Sequence, residues 1–196
     1  MSKTRNTIVR NVAGAFTLVL AATLTASPAL AALKLGDKAP AFSTEAALGG
    51  KTFGFQLAEA LARGPVVLYF YPKAFTSGCT YEAHQFAEAT ERFAALGATV
   101  IGVSNDDIET LKRFSVEACR NKFAVAADDK AQVIRDYDAQ VAWGLNMAGR
   151  ISYVIAPDGT IAYAFRDSNP DGHVANTLKV VERLAAERKG AAAAKP

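Results

Sequence analysis

VVLYFYPKAFTSGCTYEA, residues 66–83, is the stretch that decides the fold. VVLYFY (66–71) follows Pro65 and is apolar and β-rich without interruption, the pattern of a central strand covered on both faces. Pro72 stops it. From Gly78 to Ala95 the spacing becomes helical, with Ala83, Phe86, Ala87, Phe93 and Ala94 on one face, and Gly97 ends the run. A buried strand, a short loop and a helix succeed one another, and Cys79 stands in the first turn of that helix.

Working outward, ATVIGVS (98–104) reads as a second buried strand, and Asn105-Asp106-Asp107 offers N-cap oxygens for a helix over about 107–121. Phe123–Ala127 reads as a short strand and 130–137 as a short helix. SYVIAP (152–157) and IAYAFR (161–166) flank Pro157-Asp158-Gly159, a hairpin turn, and residues 173–188 form a terminal amphipathic helix. Upstream lie a Pro/Gly-punctuated lead, a hairpin-like stretch around Gly49-Gly50 and a short helix near Gln56–Ala62. Alternating β and α elements imply parallel strands, and the hairpin adds antiparallel ones. The expected fold class is α/β: a thioredoxin-like mixed central sheet with helices on both faces.

The ends of the 196-residue chain read differently. Lys3, Arg5 and Arg10 precede an apolar, small-residue run over Val12–Ala26, Ser27-Pro28 breaks it, and Ala29-Leu30-Ala31 is a small-x-small site. That is the layout of a secretory signal peptide over 1–31, cut after Ala31, which implies export to the periplasm or another extracytoplasmic space. The rival reading, a retained anchor, meets an apolar run short of the ~20 residues that a bilayer span needs. Residues 32–189 then form one domain, and GAAAAKP (190–196) is a low-complexity tail expected to be disordered. The whole chain has 22 Lys+Arg against 19 Asp+Glu; the leader carries three of the bases and no acid, so the mature chain is 19 against 19. Such a balance argues against a nucleic-acid or anionic-membrane binder, and no stable membrane association is expected after cleavage.

The chain has two cysteines, Cys79 and Cys119. In an oxidising compartment a pair is ordinarily a structural disulfide. Cys79 has a second reading. The N–H groups of a helix's first turn lack intrahelical partners and the macrodipole favours negative charge there, so a thiolate is stabilised over a thiol. Gly78 allows close approach to the sulfur, Thr76 offers a hydroxyl three residues upstream, and Pro72 shields one side and stiffens the loop.

Pro72, Thr76 and Cys79 fit P-x-x-x-T-x-x-C directly after an apolar strand. Here the sequence resembles the peroxiredoxins, and within them the peroxiredoxin Q or bacterioferritin comigratory group. VVLYFYPKAFTSGCTYEA, TVIGVS and RISYVIAPDGTI carry the resemblance, which spans roughly residues 33–185. It implies a thiol-dependent peroxidase that reduces hydrogen peroxide and organic hydroperoxides through a Cys79 sulfenic acid. It implies an arginine beside the sulfur, matched by Arg150, whose planar fork can hold a thiolate and a peroxide oxygen together. Glu82 matches an acid that orients that arginine; an acid in a first helical turn is equally its other reading. No metal, haem, flavin or nicotinamide motif is present, and no cofactor is expected. The resemblance implies a thiol reductant of thioredoxin type and a monomer or weak dimer.

The sequence departs from the family at several positions. Where many relatives carry a resolving cysteine, five residues after Cys79, this chain has His84, read as a partly exposed helix residue. Phe75 makes the pocket rim more apolar. Cys119 falls about 20° from Ile108 at ~100° per residue, on the arc of Leu111, Ser115 and Ala118. That suits a buried small hydrophobe and also a resolving thiol, with Arg120 and Lys122 beside it to favour its thiolate. His173 reads as a capping or surface residue, and Trp143 as packing ahead of the Arg150 strand or a wall of the pocket. Two other functions stay in view: a disulfide reductase, whose C-x-x-C would fall on Thr76-Ser-Gly-Cys79 and lacks one sulfur, and a non-catalytic domain stapled by a 79–119 disulfide.

Overall fold

The computed structural model describes residues 32–193, so the leader expected over 1–31 lies outside the described residues. The elements are β1 (Ser43–Leu48), β2 (Lys51–Gln56), α1 (Leu57–Arg63), β3 (Val66–Phe70), α2 (Ser77–Ala95), β4 (Thr99–Ser104), α3 (Ile108–Glu117), β5 (Ala124–Ala127), α4 (Gln132–Asp136), β6 (Ile151–Ile155), β7 (Ile161–Arg166) and α5 (His173–Ala193).

Seven strands form one sheet in the order β2-β1-β5-β4-β3-β6-β7. β3 runs parallel to β4 and β4 to β5, while the remaining pairs are antiparallel. Each residue of β3 is buried, and the strand's period of two divides them between faces. Val67 and Tyr69 join a core with Phe86 and Phe93 of α2, Leu111 and Phe114 of α3, and Val181 of α5. Val66, Leu68 and Phe70 join a second core with Leu57 and Ala60 of α1 and Ile134 of α4. The sheet is covered on both sides, as its uninterrupted apolar strands require, and the architecture is the expected thioredoxin-like α/β fold.

The hairpin-like stretch is β1 and β2, joined at Gly49 (φ 58°) and Gly50 (φ 78°). Both backbones are left-handed, as a two-residue turn matching the strand twist demands. Two helix lengths differ from expectation. α5 runs on to Ala193, into the stretch read as a disordered tail, because alanine is the strongest helix former. α3 stops at Glu117 rather than 121, since Arg120 (φ 52°) and Asn121 (φ 58°) turn left-handed to deliver Phe123 to the core and start β5.

Two features place the site. α2 starts at the carboxyl ends of β3 and β4, the edge where open α/β sheets hold ligands. The β3–β6 register pairs Phe70 with Ile151. Arg150, one residue ahead of β6, is thereby set beside the end of β3, where α2 begins.

Candidate active site

Cys79 is the third residue of α2 and only 1% exposed. The first helical bond runs from the Thr80 N–H to the Thr76 carbonyl, 2.9 Å. The N–H groups of Ser77, Gly78 and Cys79 therefore lie ahead of the ladder, at the positive end of the helix dipole.

Arg150 reaches this helix start from across the sheet. Its Nη2 lies 3.6 Å from Cys79 Sγ, its Nη1 is bonded to Glu82 Oε2, and its Nε donates to the Ser168 carbonyl at 3.0 Å. Burial works against the guanidinium's charge, but Glu82 and Cys79 outweigh it and hold Arg150 above its ordinary pKa. Gly78 makes the approach possible. A Cβ there would sit 3.2 Å from Arg150 Nη2, so the room that Gly78 leaves beside the sulfur is used by the guanidinium. Glu82 is fully buried, and burial pushes its carboxyl up to about 8 although Arg150 pulls the other way.

The loop from Pro72 to Thr76 is half-buried at Pro72 and exposed at Phe75 and Thr76. Thr76 is the N-cap residue of α2 without a side-chain cap bond. Its Oγ1 donates to the Lys73 carbonyl at 3.0 Å, so the hydrogen of the hydroxyl that Thr76 offers upstream of the sulfur is committed to the loop in this arrangement. Phe75 is left-handed (φ 65°), a rare backbone for an aromatic residue, and is held by an edge-on contact with Phe114 at 5.2 Å and by Arg113 over its ring at 5.4 Å.

Sequence reasoning missed what fixes this loop. Asp106 was one of three apparent capping residues, but the α3 cap is Asp107, which accepts the Thr110 N–H at 2.8 Å. Asp106 is buried and accepts the Ala74 N–H at 2.8 Å and the Ser104 hydroxyl at 2.9 Å, with Lys73 Nζ at 2.5 Å.

Cys119 lies past the end of α3 and is fully buried, in the same core as Cys79. Both cysteines are free thiols. Arg120 and Lys122 do not activate the Cys119 sulfur. They pair instead with Glu88 and Glu91 on the outside of α2, at 3.2 and 2.9 Å, and burial pushes the Cys119 thiol far up. The Tyr69 and Tyr71 hydroxyls are buried without a hydrogen-bond partner.

Three further residues correct or complete the reading. His173 opens α5 as expected, but it is fully buried, not a surface residue. Its spacing to Thr177, Leu178 and Val181, all buried, puts it on the helix's inner stripe, a signal present in the sequence. Trp143 is 79% exposed and packs into neither core. His84 is half-buried, as read. Among the described residues no cluster of three or more His, Cys, Asp or Glu is placed to hold a metal ion. Of the residues singled out, Arg150 meets Cys79 directly; Pro72 and Thr76 lie in the loop ahead of α2, Thr76 with its hydroxyl hydrogen elsewhere, and Cys119 is buried past the end of α3.

Comparison with known proteins gives a consistent set of likenesses. The sequence model of the AhpC/TSA family matches residues 35–164. A chloroplastic peroxiredoxin Q of Triticum aestivum is 34% identical over 121 residues, 61% of this chain and 55% of the relative; the chain spans about half the length of such plant relatives. Peroxiredoxin Bcp of Escherichia coli is 33% identical over 158 residues, covering 75% of this chain and 96% of that protein. Among solved structures, a peroxidoxin, BcpB, from Mycobacterium tuberculosis superposes with a TM-score of 0.70 at 27% identity, covering 77% of this chain and 97% of that one.

Proposed function

The chain belongs to the AhpC/TSA family, in its peroxiredoxin Q and Bcp group, and from that premise we propose that it is a thiol-dependent peroxidase with Cys79 as the attacking sulfur. The observation that carries the proposal is the Arg150 guanidinium 3.6 Å from Cys79 Sγ at a helix start. The thiolate attacks the terminal oxygen of a hydroperoxide. A sulfur–oxygen bond forms, the oxygen–oxygen bond breaks, and the sulfur is oxidised by two electrons to a sulfenic acid. The departing oxygen takes a proton and leaves as water or alcohol. Arg150 and the unpaired first-turn N–H groups stabilise the charge that develops on it.

Recovery of the sulfenic acid is assigned to Cys119, with loss of water and formation of a 79–119 disulfide. Such a bond needs Cα atoms within about 7 Å, and a buried thiol has to be freed. The turn after α3 suits this, because two consecutive left-handed non-glycine residues, Arg120 and Asn121, are costly to hold. A thiol reductant of thioredoxin type then restores both thiols. The likeness to the group also supports a monomer or weak dimer. The leader over residues 1–31 supports export, which a mature N-terminus at Ala32 in protein recovered outside the cytoplasm tests.

The decisive experiment is peroxide consumption by the reduced protein, followed by mass mapping of the cysteines. Wild type is expected to consume peroxide and gain the 79–119 bond, Cys79→Ser to consume none, and Cys119→Ser to stop at a sulfenic acid. A wild type that leaves peroxide untouched while Cys79 remains alkylatable overturns the reading.

A further inference from the structure

Beside Arg150 the core encloses a carboxyl, an imidazole and a hydroxyl. Glu82, His173 and Ser152 are all fully buried. Glu82 Oε2 is bonded to Arg150, while Oε1 lies 3.7 Å from His173 Nδ1 and has no hydrogen-bond partner. The ring's contacts fix its hydrogens. Nε2 is 3.1 Å from the Asp167 carbonyl oxygen, which can only accept, so Nε2 carries a hydrogen. Nδ1 is 2.8 Å from Ser152 Oγ, which can donate to it. A neutral ring whose Nδ1 accepts from Ser152 offers no donor to an ionised carboxylate 3.7 Å away, and Oε1 is left unpaired. One proton, on either Nδ1 or Oε1, relieves the buried, unpaired charge.

We propose that Glu82 and His173 hold one proton in common, and that this proton sets how much of Arg150's positive charge is left to stabilise the Cys79 thiolate. His173 is thereby a positioning residue, acting through Glu82 and Arg150. The inference rests on the reading of Cys79 as an attacking thiolate.

The surroundings support it. Burial pushes Glu82 up to about 8 and pulls His173 below the usual imidazole value, so each resists carrying a charge alone. The charged and titratable groups facing the pair come from three places. Arg150, ahead of β6, holds Glu82 and disfavours charge on the ring. Asp167, after β7, favours a ring proton through both its carbonyl and its charge. Cys79 sits three residues before Glu82 on α2, on the same side of the helix. Ser152 of β6 and Phe165 of β7, whose ring stands edge-on to the imidazole at 4.8 Å, complete the enclosure and do not titrate.

Linkage makes the proposal testable from both ends: if the thiolate holds the proton on the pair, the proton on the pair must favour the thiolate equally. The first experiment is a pH titration of the ring nitrogens by NMR, in the reduced wild type and in Cys79→Ser. The chain has only two histidines, and half-buried His84 is the reference. The His173 Nδ1 signal is expected to titrate about half a pH unit or more higher in the wild type than in Cys79→Ser. Equal midpoints, or a signal flat from about pH 5 to 9.5, overturn the proposal without recourse to a variant at position 173.

The second experiment reads the pH midpoint of Cys79 alkylation. His173→Gln gives Oε1 a permanent amide donor, which favours the ionised form of Glu82, so the midpoint should rise by a similar amount. Adding Glu82→Gln removes the charge and should bring it back, whereas damage to packing would worsen in the double variant. Neither readout needs turnover. A wild type that consumes peroxide with no shift in either experiment sinks this inference alone; the shifts without peroxide consumption sink the peroxidase reading alone.

Discussion

Asp106, past the end of β4, accepts the backbone N–H of Ala74 at 2.8 Å, and so ties the loop ahead of α2 to the neighbouring strand end. Asp106→Ala would leave that N–H and the Ser104 hydroxyl buried without a partner. The expected loss is about 2 kcal/mol of stability, together with slower peroxide consumption as the loop loosens. Asp106→Asn keeps an acceptor and should lose about half as much. Urea unfolding of the three proteins checks the order, and an alanine variant as stable as wild type would contradict it.

Gly78→Ala should separate stability from activity. Alanine is the better helix former, so the melting temperature should hold or rise. The added Cβ, 3.2 Å from Arg150 Nη2, must push the guanidinium aside by a few tenths of an ångström. The rate constant with peroxide should fall about threefold to tenfold, since catalysis is sensitive to small displacements. Equal rates would show that Arg150 has slack.

Glu82 makes stability depend on pH in an identifiable direction. Burial holds its carboxyl at about 8 in the folded protein, against 4.5 for a free one. Between those values the folded state keeps a proton that the unfolded chain has released. The stability tied to that proton is full below the lower value and is lost as pH rises through the upper one. Glu82→Gln cannot titrate, so the melting temperature of the variant minus that of wild type should become steadily more positive from about pH 5 to 8.5. A constant difference would mean that the carboxyl is ionised throughout.

The ion pairs Arg120–Glu88 and Lys122–Glu91 strap the turn bearing Cys119 to α2. They are exposed and individually weak. If Cys119 resolves the sulfenic acid by release of this turn, the double variant Glu88→Gln, Glu91→Gln should form the disulfide about twofold to threefold faster after one equivalent of peroxide. Raised salt should accelerate wild type and leave the variant unmoved. Stopped-flow reading of disulfide formation decides it.

The strand, loop and helix over residues 66–95 were legible because each is specified locally: an unbroken apolar run, a proline, helical spacing, a glycine. Cys79 was legible for the same reason. Arg150 was not, except by resemblance, because its place depends on the pairing of Phe70 with Ile151 across the sheet. Asp106 and Asp107 are chemically equal capping candidates, and only the path of the preceding loop divides their tasks. His173 follows Asn169-Pro170-Asp171-Gly172, neighbours that suggest a surface, yet the return of α5 onto β6 and β7 encloses it. Cys119 was rightly placed among apolar residues by helical phase, although the helix ends before reaching it.

Trp143 is the only tryptophan in the chain and stands 79% exposed, while Tyr69, Tyr71, Phe86 and Phe114 are sealed in the core. Its indole is in water before unfolding as well as after. Tryptophan emission should therefore change little when the protein denatures, and a flat fluorescence trace must not be read as resistance to denaturant. The same property makes that indole a clean optical reporter of anything that covers the loop leading into Arg150.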